Sequence, residues 1–400
     1  MNSTQSNAKP AAPARSVKLH ADVVKLGLVS LLTDLSSEMI FSVFAIFFTT
    51  IAGASSALLG LVEGCADLAA SSLNYLSGWL SDKTGKRKVY VLTGYGFSTL
   101  AKLILLLSSA IVAVAAFRII ERLGKSFRGP ARDAWLASVA EKSNRGYAFG
   151  VHKALDKTGA VIGPLIAYAL LWRLGESVAS FQILFGIALV PAVLSVILLS
   201  RMQDQPAATH QRENIFATCN TLSAQFKRYL IPAAIFALAY FSFGFLLLRA
   251  HSLGFTLKEI VLLYALFNLA FVVMAPLAGR LGDRIGRGRI MLLGYLIYML
   301  MNLGFAYAGS KPQIIALFVV YGLFYAIDEA QSKAFIADIE PERRAAAIGL
   351  YNFISGIAYL PASLIAGALW LLNPATAFLL AAGLTFVAML AFCILRPDRP

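Results

Sequence analysis

The chain is poor in the residues from which metal sites and disulfide frameworks are built. Three cysteines and four histidines are spread over 400 residues. Cys65 and Cys393 fall in apolar runs and Cys219 in a polar stretch, so neither a disulfide framework nor a cysteine metal site is implied. Acids are scarce too, 21 against 35 Lys and Arg, for a formal charge of +14. No Gly-x-x-x-x-Gly-Lys-Ser/Thr loop occurs, so coupling to ATP hydrolysis would require a separate subunit. Nothing calls for a cofactor. Residues 1–20 have no apolar core of the kind a cleavable signal peptide needs. With Pro10, Pro13, Lys9, Arg15 and Lys18, they read as a disordered cytoplasmic tail.

What the chain does contain is long apolar runs. Hydrophobic residues make up 58% of it, and the mean hydropathy is +0.72, far above that of a soluble protein. Twelve candidate spans follow the tail, near 23–51, 57–80, 89–108, 109–129, 146–172, 178–200, 230–250, 258–279, 289–309, 314–338, 345–372 and 374–395. About 22 of the basic residues fall in loops on the side of the N-terminus, about 4 on the other and roughly 9 inside spans. That bias places both termini in the cytoplasm. It also explains the positive charge by topology and gives no reason to expect a nucleic-acid partner. The expected organisation is a tail (1–20), a first six-span bundle (21–200), a cytoplasmic linker (201–228) and a second bundle (229–396). In the linker, Ile215, Phe216, Cys219, Leu222 and Phe226 stand at helical spacing, as a short surface helix or a plain linker.

The fourth span carries unusual charge. Arg118, Glu121, Arg122, Lys125, Arg128, Arg132 and Asp133 crowd one arc of its helix. Arg118 would lie ~13 Å deep in a ~30 Å slab. Several cations at such depth are costly against lipid, so Arg118 and Arg122 are expected to face a wet cavity or neighbouring acids. Arg128 and beyond are expected on a solvated cytoplasmic face. Asp34 and Glu38 share a face of the first span, and Glu63 and Asp67 share one of the second. By depth, Asp34, Asp67 and Arg118 are expected to cluster. A carboxyl that alternates between a cation contact and a proton suits coupling. Asp156 is expected to pair with Lys157 or fourth-span bases, His152 to reach the interface, and Lys102 to snorkel. Asp328 and Glu329, with Lys333, form the main charged set of the second half. Tyr240, Phe241, Phe243, Phe245, Tyr264, Phe267, Asn268, Tyr321, Phe324 and Tyr325 supply aromatic and polar surface, some of it for a cavity.

The halves repeat. Gly78-Trp-Leu-Ser-Asp82-Lys-Thr-Gly85-Lys-Arg87-Lys recurs as Gly279-Arg-Leu-Gly-Asp283-Arg-Ile-Gly286-Arg287-Gly-Arg, between the second and third spans of each half. Arg145–Gly150 is echoed by Arg344–Gly349. Six spans return a chain to its starting side, so the halves are parallel repeats about an axis along the membrane normal.

This doubled loop in a twelve-span chain resembles the major facilitator superfamily over residues 20–396, in the manner of bacterial efflux-type members. Arg118 with Glu121 matches part of the family's fourth-span signature, with Arg122 where a glycine is usual. The resemblance implies an all-α fold of two six-helix bundles that rock about a central site. It also implies gating contacts from Asp82 to the start of the eleventh span near Ala345, and from Asp283 to the start of the fifth near Gly146. Gly150-x8-Gly159-x3-Gly163-Pro164 matches the glycine-proline signature that the family associates with antiporters, although Ala167-Tyr168 replaces its closing Gly-Gly. The expected function is therefore export of a small organic solute (a drug-like compound, metabolite or siderophore) in exchange for protons. The setting would be the inner membrane and the working unit a monomer. An importer of the same fold is the alternative, and a carrier of hard metal ions held by the first-half acids is a remoter one. An enzyme is not expected, because catalysis has no need of duplicated gates.

Overall fold

The computed structural model describes residues 20–140, 145–204, 222–340 and 344–398, without the side chains at 75, 82, 145–147, 279–280, 283, 330 and 344–346. Among these residues the regular structure is helical. The first half comprises α1 (Ala21–Ile46, running on through a π-helical turn at Phe47–Ile51), α2 (Ser56–Thr84), α3 (Arg87–Leu107), α4 (Ile111–Val139), α5 (Arg145–Leu174) and α6 (Val178–Ser200). The second half comprises α7 (Ala224–Ala239), α8 (Gly244–Ser252), α9 (Leu257–Ile285), α10 (Arg287–Tyr307), α11 (Lys311–Ile339), α12 (Arg344–Leu372) and α13 (Pro374–Leu395). Helices α7 and α8 form one span, broken at Tyr240–Phe243.

The repeat is visible in the helices themselves. Helices α2, α3 and α4 have 29, 21 and 29 residues, and so do α9, α10 and α11. Local chemistry fixes the matching ends. Ser55 accepts from the Leu58 N–H to start α2, and Thr256 with Glu259 forms a capping box at the start of α9. At their other ends, the loops of the doubled motif turn on Gly85 (φ +67°) and Gly286 (φ +91°). A side chain rarely adopts those angles.

Eleven helical spans are long and apolar enough to cross a membrane. The twelfth crossing is α4, which its own charges keep from qualifying by hydropathy. Leu107, Val112, Trp172, Leu372 and Ile394 stand well exposed, the inside-out pattern of a surface facing lipid. By the parity of twelve crossings, both ends of the described chain lie on one face, called here the terminal face, and the other is the far face.

Two boundaries differ from expectation. Helix α4 runs to Val139 rather than 129, with Arg128 bonded to Ser98 inside the bundle and Trp135 packed in a hydrophobic cluster. The second half begins at Ala224, where Ser223 accepts from the Phe226 N–H, and not after residue 228. The surface helix sought in the linker lies mostly outside the described residues, as does Cys219.

Within the first half, α5 packs closely on α1. A methyl group at Gly163 would stand 2.7 Å from the Leu35 carbonyl oxygen, and one at Gly159 would collide with that of Leu31. Gly150, the first glycine of that signature, meets open space. Between the halves, α2 and α12 meet along a similar seam. A Cβ at Gly64 would come 2.9 Å from Leu360, and one at Gly367 2.6 Å from the Ser56 carbonyl oxygen.

Candidate functional site

Helices α2 and α4 both descend from the far face, and each presents charge at a one-turn interval. Their register turns that spacing into a two-rung ionic ladder. Arg118 donates from Nε and Nη2 to Glu63 at 2.5 and 2.7 Å, and Arg122 donates to Asp67 Oδ1 at 2.9 and 2.6 Å. Each pair is separated by 55 residues. The Arg118 guanidinium also lies over Phe41 and Phe44, 4.7 and 5.6 Å from the ring centroids. A bidentate fork between two aromatic faces is a strongly oriented arrangement for a guanidinium.

The expected cluster of Asp34, Asp67 and Arg118 is thus not formed. Depth placed these residues at one level, but rotation about the helix axes gives Arg118 to Glu63. Asp34 is buried in the first bundle, away from the cavity lining, with Asp156, Lys125, Glu38 and Lys157 as its charged surroundings. Asp156 forms its ion pair with Lys153, 3.7 Å away, and the fourth-span bases Arg132 and Lys125 are among its charged surroundings.

Other charges expected at a surface are internal. Arg128 is 2% exposed, donates to Ser98 Oγ at 2.7 Å and covers the Tyr95 ring at 4.4 Å. His152 is buried and bonds Ser30 Oγ at 3.0 Å. Lys102 is fully buried, where its Nζ donates to Ser37 Oγ at 3.1 Å; Ser37 donates in turn to Glu121 Oε1 at 3.2 Å. In each case a small hydroxyl on a neighbouring helix is the hydrogen-bond partner where lipid or water was expected. Glu121 Oε2 and Arg118 Nη1 lack hydrogen bonds and stand 4.0 Å apart.

The ladder forms one wall of a cavity of about 350 Å³ between the halves. Glu38, Lys125 and Lys157 complete its first-half wall. The opposite wall is aromatic. Tyr240, Phe243, Tyr264, Phe267, Tyr321, Tyr325 and Tyr359 line it, with Asn268, Asp328 and Glu329. Its rings are contiguous, with Phe243 4.8 Å from Phe267 and Phe267 5.1 Å from Tyr321, and with the Tyr240 and Tyr321 hydroxyls 3.3 Å apart. Phe241 also lines the cavity, whereas Phe245 and Phe324 are core residues outside it. Asp328 accepts from Ser332 at 3.0 Å, and Glu329 pairs with Lys333 at 3.5 Å.

Three hydrogen bonds join the two halves among the described residues. Ser242, in the break between α7 and α8, donates to Glu63 Oε2 at 3.0 Å. Tyr264 donates to Glu38 Oε2. Ser56 Oγ reaches the Gly367 carbonyl oxygen at 3.3 Å. Glu63 and Tyr264 each lie seven residues from the far end of their helix, about 10 Å in, so these ties belong to the far-side part of the cavity lining. Ser242 and Tyr359 escaped the sequence reading. The one signal for Ser242 was the glycine two residues on, which lets α8 approach Ala45.

The duplicated loops are described in part. Arg287 pairs with Asp338 of its own half at 2.7 Å, and Arg87 is also partnered. The expected contacts of Asp82 and Asp283, and their partners near Ala345 and Gly146, lie outside the described side chains, as does Gly279. Gly78 is buried.

Two six-span halves, related by repetition and enclosing a polar cavity between them, define a membrane transporter. The chain belongs to the Major Facilitator Superfamily, whose model matches residues 26–249 and 230–400. An uncharacterized MFS-type transporter of Methanocaldococcus jannaschii is 34% identical over 378 residues, covering 93% of this chain and 94% of its own. Multidrug resistance protein 2 of Bacillus subtilis is 26% identical over 227 residues, about half of each chain (53% and 54%). Among solved structures, a nucleoside transporter NupG mutant superposes with a TM-score of 0.78 at 14% identity, covering 93% of this chain and 99% of its own. A bacterial homologue of the human lysosomal transporter Spinster gives 0.70 at 14% identity, covering 93% and 94%. Both family and fold are those of transporters.

Proposed function

We propose that the chain exports a small organic solute in exchange for protons, across the bacterial inner membrane, as a monomer with both termini in the cytoplasm. The observation that carries this reading is that Glu38 and Glu63 each accept a hydroxyl from the opposite half, while Glu63 also holds Arg118. A hydrogen bond to an ionised carboxylate is about twice as strong as one to a neutral group. Protonation of either acid therefore weakens the tie between the halves by about 1 kcal/mol, and a bias of that kind shifts the balance between conformations. On this reading protons act on the same acids that tie the two halves. The Asp82 and Asp283 loops would gate the terminal side, between bundles spanning 21–200 and 229–396.

Export rather than import is supported by the packing of Gly159 and Gly163 on α1, with Pro164 following, and by similarity to a multidrug resistance protein over half the chain. For a carrier of metal ions there is less support: among the described residues no group of three or more His, Cys, Asp or Glu could hold an ion. The test is uptake of a labelled solute library into everted membrane vesicles with an acidified lumen. Solute that accumulates with the wild type, and not with Glu63→Gln, fits the proposal. Accumulation only in right-side-out vesicles would reverse the direction. Accumulation unaffected by the gradient would end the proton coupling.

A further inference from the structure

The cavity holds more charge than its internal pairs consume. On the first-half wall Arg118 and Arg122 are committed to Glu63 and Asp67, and Glu38 to Tyr264. Lys157 rests over Phe271 of α9, 4.7 Å from the ring centroid. Lys125 has no hydrogen bond or ion pair among the described residues, although Asp34 and Glu38 face it from α1. It stands three residues beyond Arg122, close to one turn, on the same lining. On the opposite wall Asp328 has one partner, the Ser332 hydroxyl of its own helix, and no cation within ion-pair distance. These two charges stand on opposite halves of one cavity, and the aromatic rings share the wall with Asp328.

We propose, resting on the reading of this cavity as the transport site, that the substrate is an aromatic zwitterion of amino-acid size. Lys125, with the edge of Arg122, receives its carboxylate. Asp328 receives its ammonium group, and the rings of Phe243, Phe267, Tyr321 and Tyr325 hold its aromatic body. Each wall offers the solute an opposite charge in a partly dry site, Lys125 beside the acids Asp34 and Glu38, and Asp328 beside the Ser332 hydroxyl. A cavity of about 350 Å³ is at the small end of ligand pockets, which suits one ring and a short polar head. A solute that contacts both bundles also couples its own presence to their relative position, as an occupied carrier requires. A simple cation would leave Lys125 to the first-half acids alone, and a simple anion would leave Asp328 with only the Ser332 hydroxyl.

The test is equilibrium binding to the purified full-length chain in detergent, with no proton gradient. Tryptophan, tryptamine, indole-3-propionate and alanine serve as the zwitterion, the cation, the anion and the ringless zwitterion. Tryptophan is expected to bind at least about tenfold more tightly than each of the others. Lys125→Gln should bring tryptophan down to the level of tryptamine and leave tryptamine unchanged, with Lys125→Arg restoring the difference. Asp328→Asn should bring tryptophan down to the level of indole-3-propionate and leave that probe unchanged. Tryptamine or indole-3-propionate binding as tightly as tryptophan would overturn the proposal, and so would a failure of every aromatic probe to bind folded protein. Because no gradient is used, binding with the expected selectivity would stand even if proton-driven export failed.

Discussion

At the residue scale, the molecule manages its intramembrane charge by pairing within one half. Glu63 with Arg118 and Asp67 with Arg122 repeat one contact a turn apart, and Lys102 reaches Glu121 through Ser37. A buried pair is weak evidence for stability, but removing one member strands the other and costs about 3–5 kcal/mol. Lys102→Met should therefore destabilise the protein by about that amount, and combining it with Glu121→Gln should recover most of the loss. Thermal unfolding in detergent measures both. Glu63→Gln should abolish gradient-driven transport and, by stranding Arg118, also lower the melting temperature, and Glu63→Asp should retain part of both, as read by vesicle uptake and thermal unfolding. The sequence disclosed that charges sat inside the membrane but misassigned their partners. Depth along a span follows from counting residues, whereas azimuth depends on how the bundle packs. Arg118 was therefore matched to residues at its level instead of to Glu63, and Lys102 was directed outward although α3 turns it inward.

At the scale of elements, boundaries follow caps and glycines. The starts of α2 and α9, and the glycines that close them, were readable because serine, threonine and positive-φ glycine act locally. The break between α7 and α8 was not, since Tyr240–Phe243 is mostly aromatic and Gly244 beside it was the one local signal. The length of α4 was misjudged because Arg128 was expected in water. Gly163 shows what an element-level contact is worth. Gly163→Leu should part α5 from α1, with a cost of about 1–3 kcal/mol from overpacking, visible as a lower melting temperature. Gly150→Leu meets no neighbour and should leave it unchanged, provided that the spacing of that glycine reflects ancestry and not packing.

For the whole molecule, the parallel repeat was legible from the doubled Gly-Asp-Gly loop alone, because duplication leaves its mark on sequence as well as on shape. The arrangement of the halves around the cavity was not, because it depends on which faces meet. Two hydroxyls, Ser242 and Tyr264, carry the side-chain contact from second half to first-half acids. The combined change Tyr264→Phe with Ser242→Ala should leave solute exchange between equal pools in proteoliposomes within about twofold of wild type, given how little a surface-free hydroxyl adds to folding. Uphill transport driven by an imposed pH difference should fall by at least about fivefold. Loss of both activities alike would assign the hydroxyls to the fold instead.

The rungs on α2 and α4 have an electrical consequence. Each couples one positive and one negative group on helices of the same half, so both rungs travel together as neutral units when that half moves. A membrane potential performs about 2.3 kcal/mol of work per elementary charge per 100 mV, and on such units that work nearly cancels. The rungs themselves should then add almost nothing to the voltage dependence of reorientation, and exchange of a zwitterion for protons should carry one positive charge inward for every proton. An inside-negative potassium diffusion potential, imposed with no pH difference, should by itself drive the solute out.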